Sequence, residues 1–150
     1  MKITLCGSIA FYKEMEEVKA ALEKRGHEVK LPPTEIKNDK GEWIPVAEYY
    51  RLRKEAEAAG GDTSWIWDKK AEAMHNHFDK VAWADVVLIT NYDKSGIKNY
   101  IGANTLLEMG LAFHLRKLIY LLNPIPEISG KEEVLGMKTI VINGDLNKIK

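Results

Sequence analysis

Apolar positions along the chain keep two rhythms. Short apolar runs stand at Lys2 to Cys6 (KITLC), His27 to Leu31 (HEVKL), Asp85 to Thr90 (DVVLIT), Leu118 to Leu122 (LIYLL) and Thr139 to Ile142 (TIVI). Runs this short, bounded by turn residues, predict strands, and the most continuous of them predict strands covered on both faces. Between them the apolar period lengthens to that of a helix. Phe11, Met15, Val18 and Leu22 recur at helical spacing with charges opposite, and Gly26 stands where a C-terminal cap belongs. Residues 1–31 therefore predict a β-α-β unit, which favours a parallel sheet and a right-handed crossover.

Further along, Ser64 to Ala84 predicts a long helix with Trp67, Ala71, Met74, Phe78 and Val81 on one stripe. The helix after the third strand runs to Arg116-Lys117, cations that suit its C-terminal dipole, and a short helix is expected near Lys131 to Leu135. Five β segments with interleaved helices describe an α/β fold: a doubly wound, mainly parallel five-stranded sheet of flavodoxin or Rossmann type. Ligands of such folds bind beyond the carboxyl ends of the strands, where the strand order switches. Gly7-Ser8, Asn91-Tyr92-Asp93 and Asn123 would meet at that edge.

The whole chain, 1–150, is expected to form one domain, and its length suits a single core. Residues 34–63 break the rhythm, with Gly41, Pro45 and Gly60-Gly61 as interruptions and good helix formers from Val46 to Ala59. They read as an insertion or lid over a pocket or a partner subunit, or else as a surface excursion.

Charge and composition narrow the classes of function. Lys and Arg number 22 and so do Asp and Glu, so no net field draws nucleic acid or an anionic membrane. No apolar run is long enough to span a bilayer, and no signal-peptide layout opens the chain. The single cysteine, Cys6, fits a reducing cytoplasm and reads as a small core residue of its strand. Neither a Walker loop nor GxGxxG is present. His75 and His77, two apart on a helix, face away from each other, and His75 with Asp79 would make only two ligands, so no metal site is expected.

One residue stands out. From Tyr100 to Leu115 the only formally charged side chain is Glu108. A carboxylate in so apolar a helix is desolvated unless donors surround it, and such groups cluster at functional sites. The competing reading is structural: Thr105-Leu106-Leu107-Glu108 has the form of a capping box, in which Glu reaches back to the cap residue. On pattern alone both readings stand. The Gly7-Ser8 turn offers backbone N–H groups and a hydroxyl at the start of the first helix, an arrangement suited to anions and equally to a tight turn with Ser as N-cap.

Four segments in order, KITLCGSIAF, FDKVAWADVVLITNYD, GANTLLEMGLAF and KLIYLLNP, resemble the nucleoside 2-deoxyribosyltransferase-like superfamily, which includes deoxynucleoside-monophosphate N-glycosidases. The resemblance covers most of the chain outside 34–63. It implies cleavage or transfer at the N-glycosidic bond of a nucleoside or nucleotide, with Glu108, in Glu108-Met109-Gly110-Leu111-Ala112, as nucleophile. It further implies that Asp79 hydrogen-bonds or protonates the base, and that Gly7 and Ser8 meet the sugar or a 5′-phosphate. Tyr92 and Asn104 are expected to line the sugar pocket, and Asp93 to be structural. The resemblance also implies a homo-oligomer with shared sites, a small-molecule partner, and no cofactor. One departure is notable: the transferases carry an acidic residue about six positions before the nucleophile, where this chain has Gly102. A non-catalytic nucleotide-binding or sensing module on the same scaffold is the alternative.

Overall fold

The computed structural model describes residues 1–59 and 64–150. The first strand, β1 (Lys2–Cys6), is an inner strand of a parallel sheet. It pairs on one side with β2 (Glu28–Lys30) and on the other with β5 (Val86–Ile89); β6 (Leu118–Leu121) and the two-residue edge strand β7 (Ile140–Val141) complete the order β2-β1-β5-β6-β7. Strands β3 (Glu35–Lys37) and β4 (Trp43–Pro45) form a separate antiparallel pair. Among the described residues, the α-helices that connect these elements are α1 (Tyr12–Glu23), α2 (Val46–Ala59), α3 (Ser64–Trp83), α4 (Ala103–His114) and α5 (Lys131–Gly136). Counting only strands of the parallel sheet, the order is 2-1-3-4-5, the flavodoxin arrangement, whose switch falls between β1 and β5.

The chain divides into two compact units, Met1–Leu31 with Phe78–Lys150, and Pro32–His77. In the first, strand alternation sends neighbouring side chains to opposite faces. Ile3, Leu5, Val86, Leu88 and Tyr120 pack with Met15 and Leu22 of α1, whereas Cys6, Val87, Ile89, Ile119 and Leu121 pack with Val81, Met109, Ala112 and Val134. Both faces are covered, which is why these strands read as continuous apolar runs. Gly26, at φ +84°, ends α1 with the backbone bond His27 N–H to Leu22 O, 3.3 Å. Asp85 closes the entry to β5 by accepting from the Lys2 backbone N–H at 2.7 Å.

Two expectations about helices are revised. The α4 C-terminus does not use Lys117 for its own dipole. Arg116 takes the left-handed turn (φ 60°), and Lys117 donates to Ala82 O (2.7 Å) and Ala84 O at the end of α3. The stripe expected on the long helix holds only toward its C-terminal end, where Val81 is buried and Met74 and Phe78 are half-buried. Trp67 and Ala71 are exposed, and the buried positions are Ile66, His77 and Val81. The first half of α3 buries its side chains into the second unit's own core, so one amphipathic register does not serve its whole length.

That second core consists of Ile36, Tyr49, Ala56 and Ile66, with Ile44, Leu52, Trp65 and Ala73 against it. Tyr49 donates its hydroxyl to Ile66 O at 2.6 Å. In the β3–β4 turn, Asn38 Oδ1 accepts from Lys40 and Glu42 backbone N–H groups, 2.9 Å each, and Gly41 sits at φ +77°. Pro45, read as a break, is the last residue of β4. The three-residue strands EIK and WIP are too short for alternation to betray them. The Gly60-Gly61 interruption lies outside the described residues.

Candidate active site

The carboxyl ends of β1, β5 and β6 bring three loops to one edge of the sheet. Gly7 follows β1 directly, and its backbone runs so close to Thr90 that a Cβ there would meet Thr90 Oγ1 at 2.3 Å. Thr90 is held in place by its backbone N–H and its hydroxyl, both donating to Cys6 O, at 2.8 and 3.1 Å. Ser8 caps the short 3-10 turn Ile9–Phe11, its Oγ accepting from Ala10 N–H at 3.3 Å. Lys94 reaches over from the loop after β5 and donates to the same Oγ at 2.8 Å, while its ammonium lies 5.1 Å from the Tyr100 ring centre.

The loop from β5 to α4 is tightly built. Asn91 is fully buried and donates through Nδ2 to Asn123 O and Pro124 O, and its Oδ1 accepts from Asn123 N–H at 2.9 Å. Asn123 Nδ2 returns a bond to Asn91 O. The loops after β5 and β6 are thereby latched together. Lys94 and Ile97 exchange both backbone bonds across Ser95 (φ 53°) and Gly96 (φ 77°), a tight turn in which both central residues are left-handed. Asp93 Oδ1 accepts from Asn99 N–H at 2.9 Å, a structural role. Tyr92 is half-buried, its ring edge-on to Phe11 at 5.4 Å, and it sits on the α1 side of the sheet. Burial, and then the charges of Glu14 and Glu17, push its phenol above the usual range.

Glu108 lies in the second turn of α4, not at its start. Gly102 is the N-cap and makes no side-chain cap bond. Thr105, buried in the first turn, is inside the helix, so the capping-box reading of Thr105 to Glu108 does not hold. Instead Asn104, one helical turn back, donates Nδ2 to Glu108 Oε1 at 2.7 Å. Glu108 is 3% exposed. A carboxylate this dry remains ionised only if donors replace its water.

A second partner comes from the sheet. Cys6, fully buried at the end of β1, places its Sγ within 4.8 Å of a Glu108 carboxylate oxygen. Its thiol is pushed well above the usual range by burial, then by the negative charge of Glu108 and by the hydrogen bond with it. Sequence reasoning gave Cys6 a packing role only. The available signal was parity: the last residue of β1 faces α4 if Leu5 faces α1. Lys94 was missed as well, because nothing in the loop sequence announces a contact with Ser8.

Of the residues singled out from sequence, Glu108 and Asn104 are joined directly, and Ser8 and Gly7 share the β1 edge. Asp79 is exposed on α3, and its neighbour Lys80 donates to Leu31 O at 2.7 Å. Lys80 is half-buried, and that burial, then the charge of Lys30, pushes its ammonium pKa down. His75 is exposed and His77 is buried. The outer face of α4 is apolar as well, with Leu107 54% and Phe113 45% exposed.

No family model matches the chain, and no curated protein matches it by sequence. Among solved structures it is similar to a 2-deoxyribosyltransferase from the psychrotolerant bacterium Bacillus psychrosaccharolyticus, at TM-score 0.52 and 19% identity over 85% of this chain and 76% of that one. It also aligns with the CMP N-glycosidase BcmB of Clostridium botulinum at TM-score 0.46 and 16% identity, over 95% and 86%. The first likeness is one of fold. No helix among the described residues is long and apolar enough to cross a membrane.

Proposed function

We propose that this chain is an enzyme that cleaves, or transfers at, the N-glycosidic bond of a nucleoside or nucleotide, with Glu108 as the nucleophile. The observation that carries this reading is the dry carboxylate itself. Glu108 is 3% exposed on an apolar helix, held by Asn104, beside the sheet edge where the topology puts ligands. In the proposed reaction a Glu108 oxygen bonds to C1′ as the C1′–N bond breaks. The bond's electron pair leaves with the base, which takes up a proton. Water or a second base then attacks C1′, the ester bond breaks, and the carboxylate returns; where water attacks, its proton is released. Asp79 is the proposed partner of the base. Gly7 and Ser8 would hold the sugar or its phosphate, with Tyr92 and Asn104 lining the sugar pocket.

Hydrolysis is favoured over transfer. At Gly102 even a Cβ would meet the Tyr100 hydroxyl at 3.0 Å and its ring at 3.2 Å. This chain has no acidic side chain at that position, and one placed there would need Tyr100 to shift by a few tenths of an ångström. We further propose a cytoplasmic homo-oligomer, on the strength of one reduced cysteine and the exposed Leu107, Phe113 and Leu115. A non-catalytic nucleotide sensor is the competing reading.

The test is chromatography for free base after incubation with ribo- and deoxynucleosides and their 5′-monophosphates. Wild type should release base from one class. Glu108→Ala and Glu108→Gln, checked for fold by circular dichroism, should lose at least roughly a hundredfold in rate. Ligand binding without turnover by wild type, preserved in Glu108→Gln, would favour the sensor.

A further inference from the structure

The pairing of Cys6 with Glu108 has no place in the reaction as written above, and packing does not require it. Ala or Val would fill a small apolar position at the end of a buried strand. A thiol there adds a donor. Strand alternation decides where the donor points: Leu5 packs with α1, and Cys6 packs with Met109 and Ala112 of α4. Its Sγ and a Glu108 oxygen lie within 4.8 Å, and Cys6 is 0% exposed.

Asn104 and Cys6 act on Glu108 in different ways. Asn104 belongs to the same helix, so its bond orients the carboxylate only relative to α4. Cys6 belongs to β1, and the next residue is Gly7, where the turn at the ligand edge begins. A bond from Cys6 therefore fixes the carboxylate relative to the sheet edge. Misplacing a nucleophile by an ångström lowers turnover without weakening ground-state binding.

We infer that Cys6 is a positioning residue, whose thiol holds the Glu108 carboxylate in register with the Gly7-Ser8 turn. The inference rests on the catalytic reading of Glu108. The raised thiol pKa is consistent with it, since the protonated thiol is the donor and does not compete as a second nucleophile.

Cys6→Val keeps an apolar side chain without a donor, and Cys6→Ser keeps a donor. Cys6→Val should lower kcat on the order of tenfold, with KM within about twofold, and Cys6→Ser should recover most of the loss. Cys6→Ala serves in place of Val if Val does not fold. Full kcat in Cys6→Val, a Ser variant as slow as Val, or a loss confined to KM would each overturn the inference. If Glu108→Ala is inactive while Cys6→Val is not impaired, this inference alone falls. If Glu108→Ala keeps wild-type turnover, the catalytic reading falls first and takes this one with it.

A second readout needs no activity. The chain has one cysteine, so its infrared S–H stretch is a single unambiguous band. A thiol bonded to a carboxylate should show a lowered frequency that rises in Glu108→Ala. An unchanged band would overturn the inference whatever the kinetics.

Discussion

Asn104 holds Glu108 by one bond, 2.7 Å long, between buried or half-buried partners. Removing a donor from a dry carboxylate costs more than the bond itself, because no water takes the donor's place. Asn104→Ala is therefore expected to lower turnover on the order of tenfold while the chain still folds, measured by steady-state kinetics beside a thermal melt. Asn104→Asp should be worse than Ala. It keeps the shape but sets two carboxylates against each other in a low dielectric, where both cannot stay ionised at ordinary cost. Equal losses in the two variants would argue that charge at this position is irrelevant. Glu108 was legible from sequence as a lone charge in an apolar helix. Its partners were not, since four-residue spacing is common and a strand cysteine says nothing about what lies across from it.

Elements set the stage for these residues. The β1 edge is narrow because Gly7 passes against Thr90, and Thr90 is fixed by two bonds to Cys6 O. A methyl group at Gly7 would meet Thr90 Oγ1 at 2.3 Å, so something must move. Gly7→Ala should destabilise the protein by about 1–3 kcal/mol in urea unfolding, and Thr90→Ala in the same chain should recover part of the loss. The Asn91–Asn123 latch is the other device at this edge. Asn91 is 0% exposed and its amide makes three bonds to Asn123 and Pro124. Asn91→Ala leaves the Asn123 N–H and two carbonyls short of partners, at an expected cost of about 2–4 kcal/mol. Amide exchange at Asn123 should then quicken, and unchanged exchange there would show that the latch holds nothing.

At the scale of the molecule, the two units differ in what holds them. The first has a parallel sheet with apolar clusters on both faces; the second rests on Ile36, Tyr49, Ala56 and Ile66 with partly buried neighbours. Its surface ion pairs, Arg51 with Glu48 and Glu55 and Lys54 with Glu57, are exposed and contribute little. Local stability follows buried apolar contact. Hydrogen exchange should therefore be slowest in β1, β5 and β6 and faster throughout Pro32–His77. Equal protection in both would mean that the second unit does not open on its own.

Sequence alone determined the class of fold. The five strands of the sheet, α1 with its glycine cap, and α2 at Val46–Ala59 follow from local rules, because a covered strand needs an unbroken apolar run and a helix needs its own period. The resemblance added Glu108 as a candidate nucleophile. Tertiary structure decided what distance along the chain conceals. It placed the β3–β4 pair, whose strands are too short to carry a pattern, and gave the first half of α3 to a separate core. It turned Lys117 toward another helix, and it set Glu108 in the second turn of α4 instead of at a cap. Above all it brought Cys6 to Glu108 and Lys94 to Ser8. Those pairings depend on which faces the strands and loops present to each other once the sheet is assembled, and no local pattern contains that information.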